Sequence, residues 1–157
     1  MSELLFETIE TIGSFIQKKE LSPVELTKLS LARIQKHNSE LTAFITVMEE
    51  EAINQAKQLE DELQSGRIRG PLHGIPIAVK DLLQTEGVRT TGGSKIFQDW
   101  IPDQDAASVQ KLEPLLSEKP IFMNLRWELQ QKIRTMASRK IRGMSRKFPV
   151  DQVVDLL

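Results

Sequence analysis

Gly70-Pro71-Leu72-His73-Gly74-Ile75-Pro76-Ile77-Ala78-Val79-Lys80-Asp81 is the stretch on which the fold turns. Two glycines and a proline punctuate its first five residues, which predicts a turn. Ile75 to Val79 are then small or apolar without a break, the pattern of a strand buried on both faces in a sheet covered by helices. Pro76 is tolerated near the start of such a strand, where its missing N–H costs no ladder bond. The apolar run ends abruptly at Lys80-Asp81, so an ammonium group is delivered to the strand's end, where open α/β sheets keep their sites.

The flanking segments supply the helices. Ile9, Ile12, Phe15 and Ile16 recur at helical spacing and predict a helix from about Ile9 to Lys19. Ser22-Pro23-Val24-Glu25 reads as a capping box, with a hydroxyl at N-cap, proline at N1 and glutamate at N3. The helix it opens should run to about His37 with Leu26, Leu29 and Ile34 inward. Ala43 to Met48 is a strand by its aromatic and β-branched content. Glu49, Glu50 and Glu51 suit a helix N-terminus, and Ile53, Ala56, Leu59 and Leu63 continue one apolar face until Gly66. Beyond Asp81, residues 82–102 read as a long connection containing Thr90-Thr91-Gly92-Gly93-Ser94. Asp103-Gln104-Asp105 then caps a last helix from Ala106.

The chain has 157 residues, enough for one domain or for a piece of a larger one. Apolar residues make up 39%, charged residues 27%, and the net charge is −1, which describes a soluble globular protein. No apolar run approaches the roughly 18 residues of a membrane span. The acidic start, Met1 to Glu7, lacks the features of a secretory signal, so a cytoplasmic location is expected. With no Cys and two His, neither a disulfide framework nor a metal centre is expected, and no cofactor. The charge is uneven. Met1 to Leu112 holds 12 basic and 17 acidic residues, net −5, whereas Glu113 to Leu157 holds 9 and 5, net +4. Lys132, Arg134, Arg139, Lys140, Arg142, Arg146 and Lys147 follow one another with no acidic residue between Glu128 and Asp151. Taken alone, that stretch reads as a nucleic-acid-binding arm.

Few residues carry candidate chemistry. A lysine at the border of a buried strand loses hydration, which favours a neutral amine able to accept a proton. The competing reading of Lys80 is an ordinary ion pair with Asp81 or a neighbour. Ser94, beside two glycines, is open to reading as a nucleophile, an anion-loop residue or a plain turn residue. His73 reads as a turn residue and His37 as a cation at a helix C-terminus.

The segment GPLHGIPIAVKDLLQTEGVRTTGGSKIF, followed by PDQDAASVQKL, resembles the amidase signature family. The resemblance covers about Leu21 to Leu112 and leaves the remainder unmatched. It implies an N-terminal fragment of that family's α/β fold, a mixed β-sheet core covered by helices. It also implies hydrolysis of a carboxamide C–N bond in a small-molecule substrate by a Ser–cis-Ser–Lys triad, with Lys80 as the base. In such a triad a neutral lysine takes a proton from the bridging serine, which deprotonates the nucleophilic serine. Backbone N–H groups stabilise the oxyanion before water releases the acyl group. Family members include stand-alone amidases and the A subunit of glutamyl-tRNA(Gln)/aspartyl-tRNA(Asn) amidotransferase, which would add partner subunits. Both triad serines belong to a Gly/Ser-rich region downstream of the lysine, and no GGSSGGS occurs in this chain; Ser138 and Ser145 sit in an unrelated basic context.

A shifted reading frame accounts for the loss. Phe148 to Leu156 can be encoded as TTC CCG GTG GAT CAA GTG GTG GAT CTG, and reading from each third base gives PGGSSGGS. The same shift over Glu113 to Thr135 permits AIIIGKTNIYEFAMGATTKNPH, which resembles the family's stretch between lysine and serines. The expectation is therefore a family portion over 1–112 and an out-of-frame, poorly ordered tail over 113–157. On this reading the chain lacks activity, Ile75 to Val79 lose most of their cover, and the basic run is an accident of frame. The alternative is a non-enzymatic basic interaction module that binds nucleic acid.

Overall fold

The computed structural model describes residues 2–116 and 123–125, with side chains over 4–112. A 3-10 helix at Ser2–Phe6 precedes α1 (Ile9–Gln17), α2 (Pro23–Leu41), β1 (Phe44–Val47), α3 (Glu49–Gln64), β2 (Val79–Lys80), α4 (Ala107–Leu116) and β3 (Met123–Leu125). The fold is the mixed α/β layer expected. β3 lies between its neighbours, antiparallel to β1 and parallel to β2, with Val79 opposite Asn124 and Lys80 opposite Leu125.

Local chemistry sets the element ends. Ser22 Oγ accepts from the backbone N–H groups of Val24 at 3.1 Å and Glu25 at 3.2 Å, the hydroxyl half of the expected capping box. Thr8 caps α1 in the same way, accepting from the Thr11 N–H at 3.2 Å. α2 runs past His37 to Leu41, where Thr42 adopts a left-handed conformation and its N–H bonds to the Asn38 carbonyl at 2.7 Å. Asn38 is the reason the chain leaves the helix directly into a strand. Its side-chain oxygen accepts from the Phe44 N–H at 2.8 Å, and its amide donates to the Phe44 carbonyl at 3.0 Å.

Three apolar clusters hold the elements together. Ile12 and Ile16 of α1, Leu21, Leu26 of α2, Leu63 of α3 and Ile75 form one; Val79, Val88 and Val109 form a second; Leu31 and Ala52 form a third. Of the residues expected inward on α2, Leu26 is buried, whereas Leu29 and Ile34 are half-buried; Thr27 and Leu31 complete the buried face.

Several expectations are corrected. The strand expected from Ile75 is confined to Val79–Lys80, because the Ile75 N–H closes a turn onto the Leu72 carbonyl at 3.1 Å and Pro76 has no N–H to give. Ile75 and Val79 are nonetheless buried, covered by the first and second clusters, so they do not lie stripped of cover as expected. Asp105 does not cap α4; its carboxylate accepts from the Glu86 N–H at 2.7 Å, and the helix begins at Ala107. The poor order expected for 113–157 and the basic run 132–147 concern residues that, apart from the backbone of 113–116 and 123–125, lie outside those described.

The Gly70-Pro71-Leu72-His73-Gly74 turn is fastened at both ends. Gly74 has φ +79°, and a Cβ there would sit 2.7 Å from Pro23 Cγ, so glycine is required for conformation and for close approach to α2. His73 lies in the turn, as expected, and is buried. Its Nδ1 accepts from the Arg69 N–H at 3.3 Å, which leaves Nε2 as the protonated nitrogen donating to the Leu59 carbonyl of α3 at 2.9 Å. Arg69 in turn makes a two-pronged ion pair with Glu62 of α3, its Nε donating to Oε2 at 2.7 Å.

Two outcomes are expected. Gly74→Ala should cost about 3 kcal/mol in urea unfolding, whereas Gly66→Ala, with φ +86° and open space around it, should cost about 1 kcal/mol; equal losses would mean that the Pro23 contact is immaterial. The Arg69 hydrogen bond holds the Glu62 carboxyl below the usual carboxylate range. The pair's contribution is therefore fully present above the unfolded value of about 4.3 and is lost as pH falls through the lower folded value. Glu62→Gln should lower stability by about 1–2 kcal/mol at pH 7 and make unfolding less sensitive to acid.

Candidate active site at the end of β2

Lys80 ends β2, half-buried, with buried Val79 before it and its carbonyl accepting from the Leu83 N–H at 2.9 Å to turn the chain away. The turn separates Lys80 from the connection that follows, and that connection is more structured than a loop. Gly87 N–H bonds to the Pro102 carbonyl, Thr90 N–H to the Trp100 carbonyl and Ala106 N–H to the Gln84 carbonyl, at 3.0, 3.0 and 2.9 Å. These bonds fold residues 84–106 back on themselves and bring Val88 and Val109 against Val79.

Asp81 is the residue that sequence reasoning underrated. It is 2% exposed, and its carboxylate accepts from the Thr91 N–H at 2.7 Å, from the Thr91 hydroxyl and from the Gly93 N–H at 3.0 Å. Its backbone carbonyl accepts from the Gly92 N–H at 2.9 Å. Gly92 and Gly93 both have positive φ, which lets successive N–H groups converge on one acceptor. The signal was present in Thr91-Gly92-Gly93, a hydroxyl and two permissive residues that ask for an anion to bind. Nothing local in the sequence names Asp81 as that anion.

The remaining candidates have structural duties. Ser94 sits in a turn, its N–H bonded to the Thr91 carbonyl at 2.9 Å and its hydroxyl accepting from the Ile96 N–H at 3.2 Å, which matches the turn reading. His37 is not at a helix end, because α2 continues for another turn. Among the described residues no group of three or more His, Asp or Glu is placed to hold a metal ion, and no helix is long and apolar enough to cross a membrane.

A mixed three-stranded sheet whose edge strand β2 ends in the half-buried Lys80 defines an α/β layer. Comparison with known proteins narrows the class. The model of the Amidase family matches residues 25–115, and the chain belongs to that family, the amidase signature enzymes. Among curated relatives, the A subunit of glutamyl-tRNA(Gln) amidotransferase from Streptomyces coelicolor is 39% identical over 113 residues, covering 72% of this chain and 23% of the relative. The protein of the same name from Dehalococcoides mccartyi is 41% identical over 112 residues, covering 71% and 23%. Among solved structures, the peptide amidase of Stenotrophomonas maltophilia superposes with a TM-score of 0.66 at 29% identity, covering 74% of this chain and 23% of that one. A fatty acid amide hydrolase superposes with a TM-score of 0.70 at 25% identity, covering 78% and 21%. The chain thus spans about a quarter of the length of the relatives it matches.

Asp81→Asn replaces one acceptor oxygen by a donor and leaves a buried N–H or hydroxyl without a partner. The expected loss is about 2–3 kcal/mol, together with faster amide exchange at Thr91 and Gly93 in a hydrogen-exchange experiment. Unchanged exchange at both amides would show that the loop is held by something else.

Proposed function

We propose that this chain carries the lysine of an amide-hydrolysing triad without its serines, and that it does not itself turn over amides. Lys80 is the general base of the parent reaction. The observation that carries this reading is its position: half-buried at the end of β2, beside a buried valine and a loop fixed by Asp81. A neutral amine there can take the proton of a bridging serine, so that a second serine attacks the carboxamide carbon. The tetrahedral intermediate then expels the amine or ammonia, and water hydrolyses the acyl-enzyme. With one member of the triad in 157 residues, the chain has a base and nothing for it to activate.

A second reading is favoured by the names of its relatives. The parent is then the A subunit of a glutamyl-tRNA(Gln) amidotransferase, which releases ammonia from a glutamine amide and works with partner subunits. Similarity to curated proteins of that name at 37–41% identity supports it over a stand-alone amidase. Under either reading, family sequence ends near Lys111 to Glu113 and the tail is out of frame. The end of the family match at residue 115, together with the hidden PGGSSGGS, supports this.

Purified chain should hydrolyse neither glutamine nor simple aliphatic amides above the rate of a Lys80→Ala control; turnover that Lys80→Ala abolishes would falsify the proposal. Nucleotide sequence around Gln110 to Glu113 should reveal a small insertion or deletion whose correction restores the glycine- and serine-rich segment. The corrected protein should be an active amidase, and Lys80→Ala should lower its kcat by about a thousand-fold, the scale of losing a general base. Full activity in that variant would remove Lys80 from the mechanism.

A further inference from the structure

We infer that the cleft bounded by the C-terminal end of α2, β1 and residues 89–98 is a binding site for a small organic anion, a carboxylate or a phosphate. The cleft has a volume of about 420 Å³, the size of pockets that take small molecules. Arg89 and Lys95 line it, with the polar groups of Thr91, Ser94 and Gln98, and none of the described residues that line it is acidic. That composition runs against its surroundings, because Met1 to Leu112 carries 17 acidic and 12 basic residues. Among its described residues this concave surface gathers two cations and no carboxylate within a net-negative segment, which favours anions.

The site is also built in advance. Arg89 Nη2 donates to the Ile45 carbonyl at 3.3 Å and reaches Thr46 Oγ1 at 3.5 Å, so the guanidinium is held against β1. The floor at Thr91 and Gly93 is held from behind by Asp81, whose negative charge is met there by the Thr91 and Gly93 donors. Phe44, half-buried, adds apolar surface to the lining, which favours an anion carried on a carbon skeleton over a bare inorganic ion. Lys80 does not line the cleft, so this inference stands apart from the triad reading and survives its failure.

The test is an NMR titration of the intact chain with benzoate, with phenyl phosphate and with neutral benzamide. At least one anion should give saturable shifts at Arg89 and at the Gly93, Ser94 and Lys95 amides, with benzamide about ten-fold weaker or more, as expected where charge-assisted bonds dominate. Phenyl phosphate binding tighter than benzoate assigns the site to phosphates, and the reverse order to carboxylates. Lys95→Gln, at an exposed position, should weaken the tighter anion about five-fold or more, the loss of one charge-assisted bond. Arg89→Gln should do the same, with the Lys95 variant deciding the matter if loss of Arg89 unfolds β1. Benzamide binding as tightly as either anion, affinities unmoved by Lys95→Gln, or no saturable shift with either anion would each overturn the inference.

Discussion

A single buried carboxylate sets the geometry of everything beyond β2. Asp81 gathers the N–H and hydroxyl of Thr91 and the N–H of Gly93, and its backbone carbonyl takes the N–H between them. Removing a charge from water is costly, and here several short-range donors offset that cost at once. The return is positional. Chain that would otherwise wander between residues 82 and 106 is brought back to the end of the strand, where the bonds at Gly87, Thr90 and Ala106 can then form. Only then does α4 meet the sheet, because Val109 reaches Val79 from the far side of that connection.

What the sequence disclosed follows from how local each cause is. The Ser22-Pro23 start, the helical spacing of Ile12 and Ile16 and the β-branched run at Phe44 to Val47 act within a few residues, and each element stands where it was read. α2 overran its expected end because the stop signal is Asn38 bonding forward to Phe44, an arrangement that exists only once β1 has formed. His73 stands in the turn where it was read, and only the approach of Leu59 and Arg69 makes it an internal fastener. Asp81 was noticed as a charge beside Lys80, whereas its partners lie ten residues on, beyond the reach of any periodicity.

The candidate site shows the same division. A lysine at the end of an apolar run is visible in the letters, and so is the family that the surrounding motif resembles. How the strand end before that lysine is covered depends on Val88 and Val109 packing on Val79 across the folded-back connection, which no short window reports. Placing Lys80 at a strand end also fits the proposal that one fragment holds a triad member without the others. Sheets assemble a site from the ends of several strands and the turns between them, so sequence neighbours are seldom site neighbours. The proposed division of labour, with the base early in the chain and both serines later, makes such a site separable by any change that alters the chain between them.

The two main apolar clusters bear that separability very differently. Every buried member of the first, from Ile12 to Ile75, comes before the strand, and its partners are supplied by α1, α2, α3 and the turn at Gly74. It needs nothing from beyond residue 75 to close. The second joins Val79 to Val109, which lies only a few residues before the point where family sequence is proposed to end. A change of frame there leaves the scaffold's base intact while removing the native continuation of the helix that covers the lysine's strand. Exposed apolar side chains occur on both sides of the strand, Phe6, Ile9 and Leu41 before it and Ile96, Phe97 and Ile101 after it. On this argument the fragment keeps its shape through the early helices, and the half of the fold that holds Lys80 is the half with the least to spare.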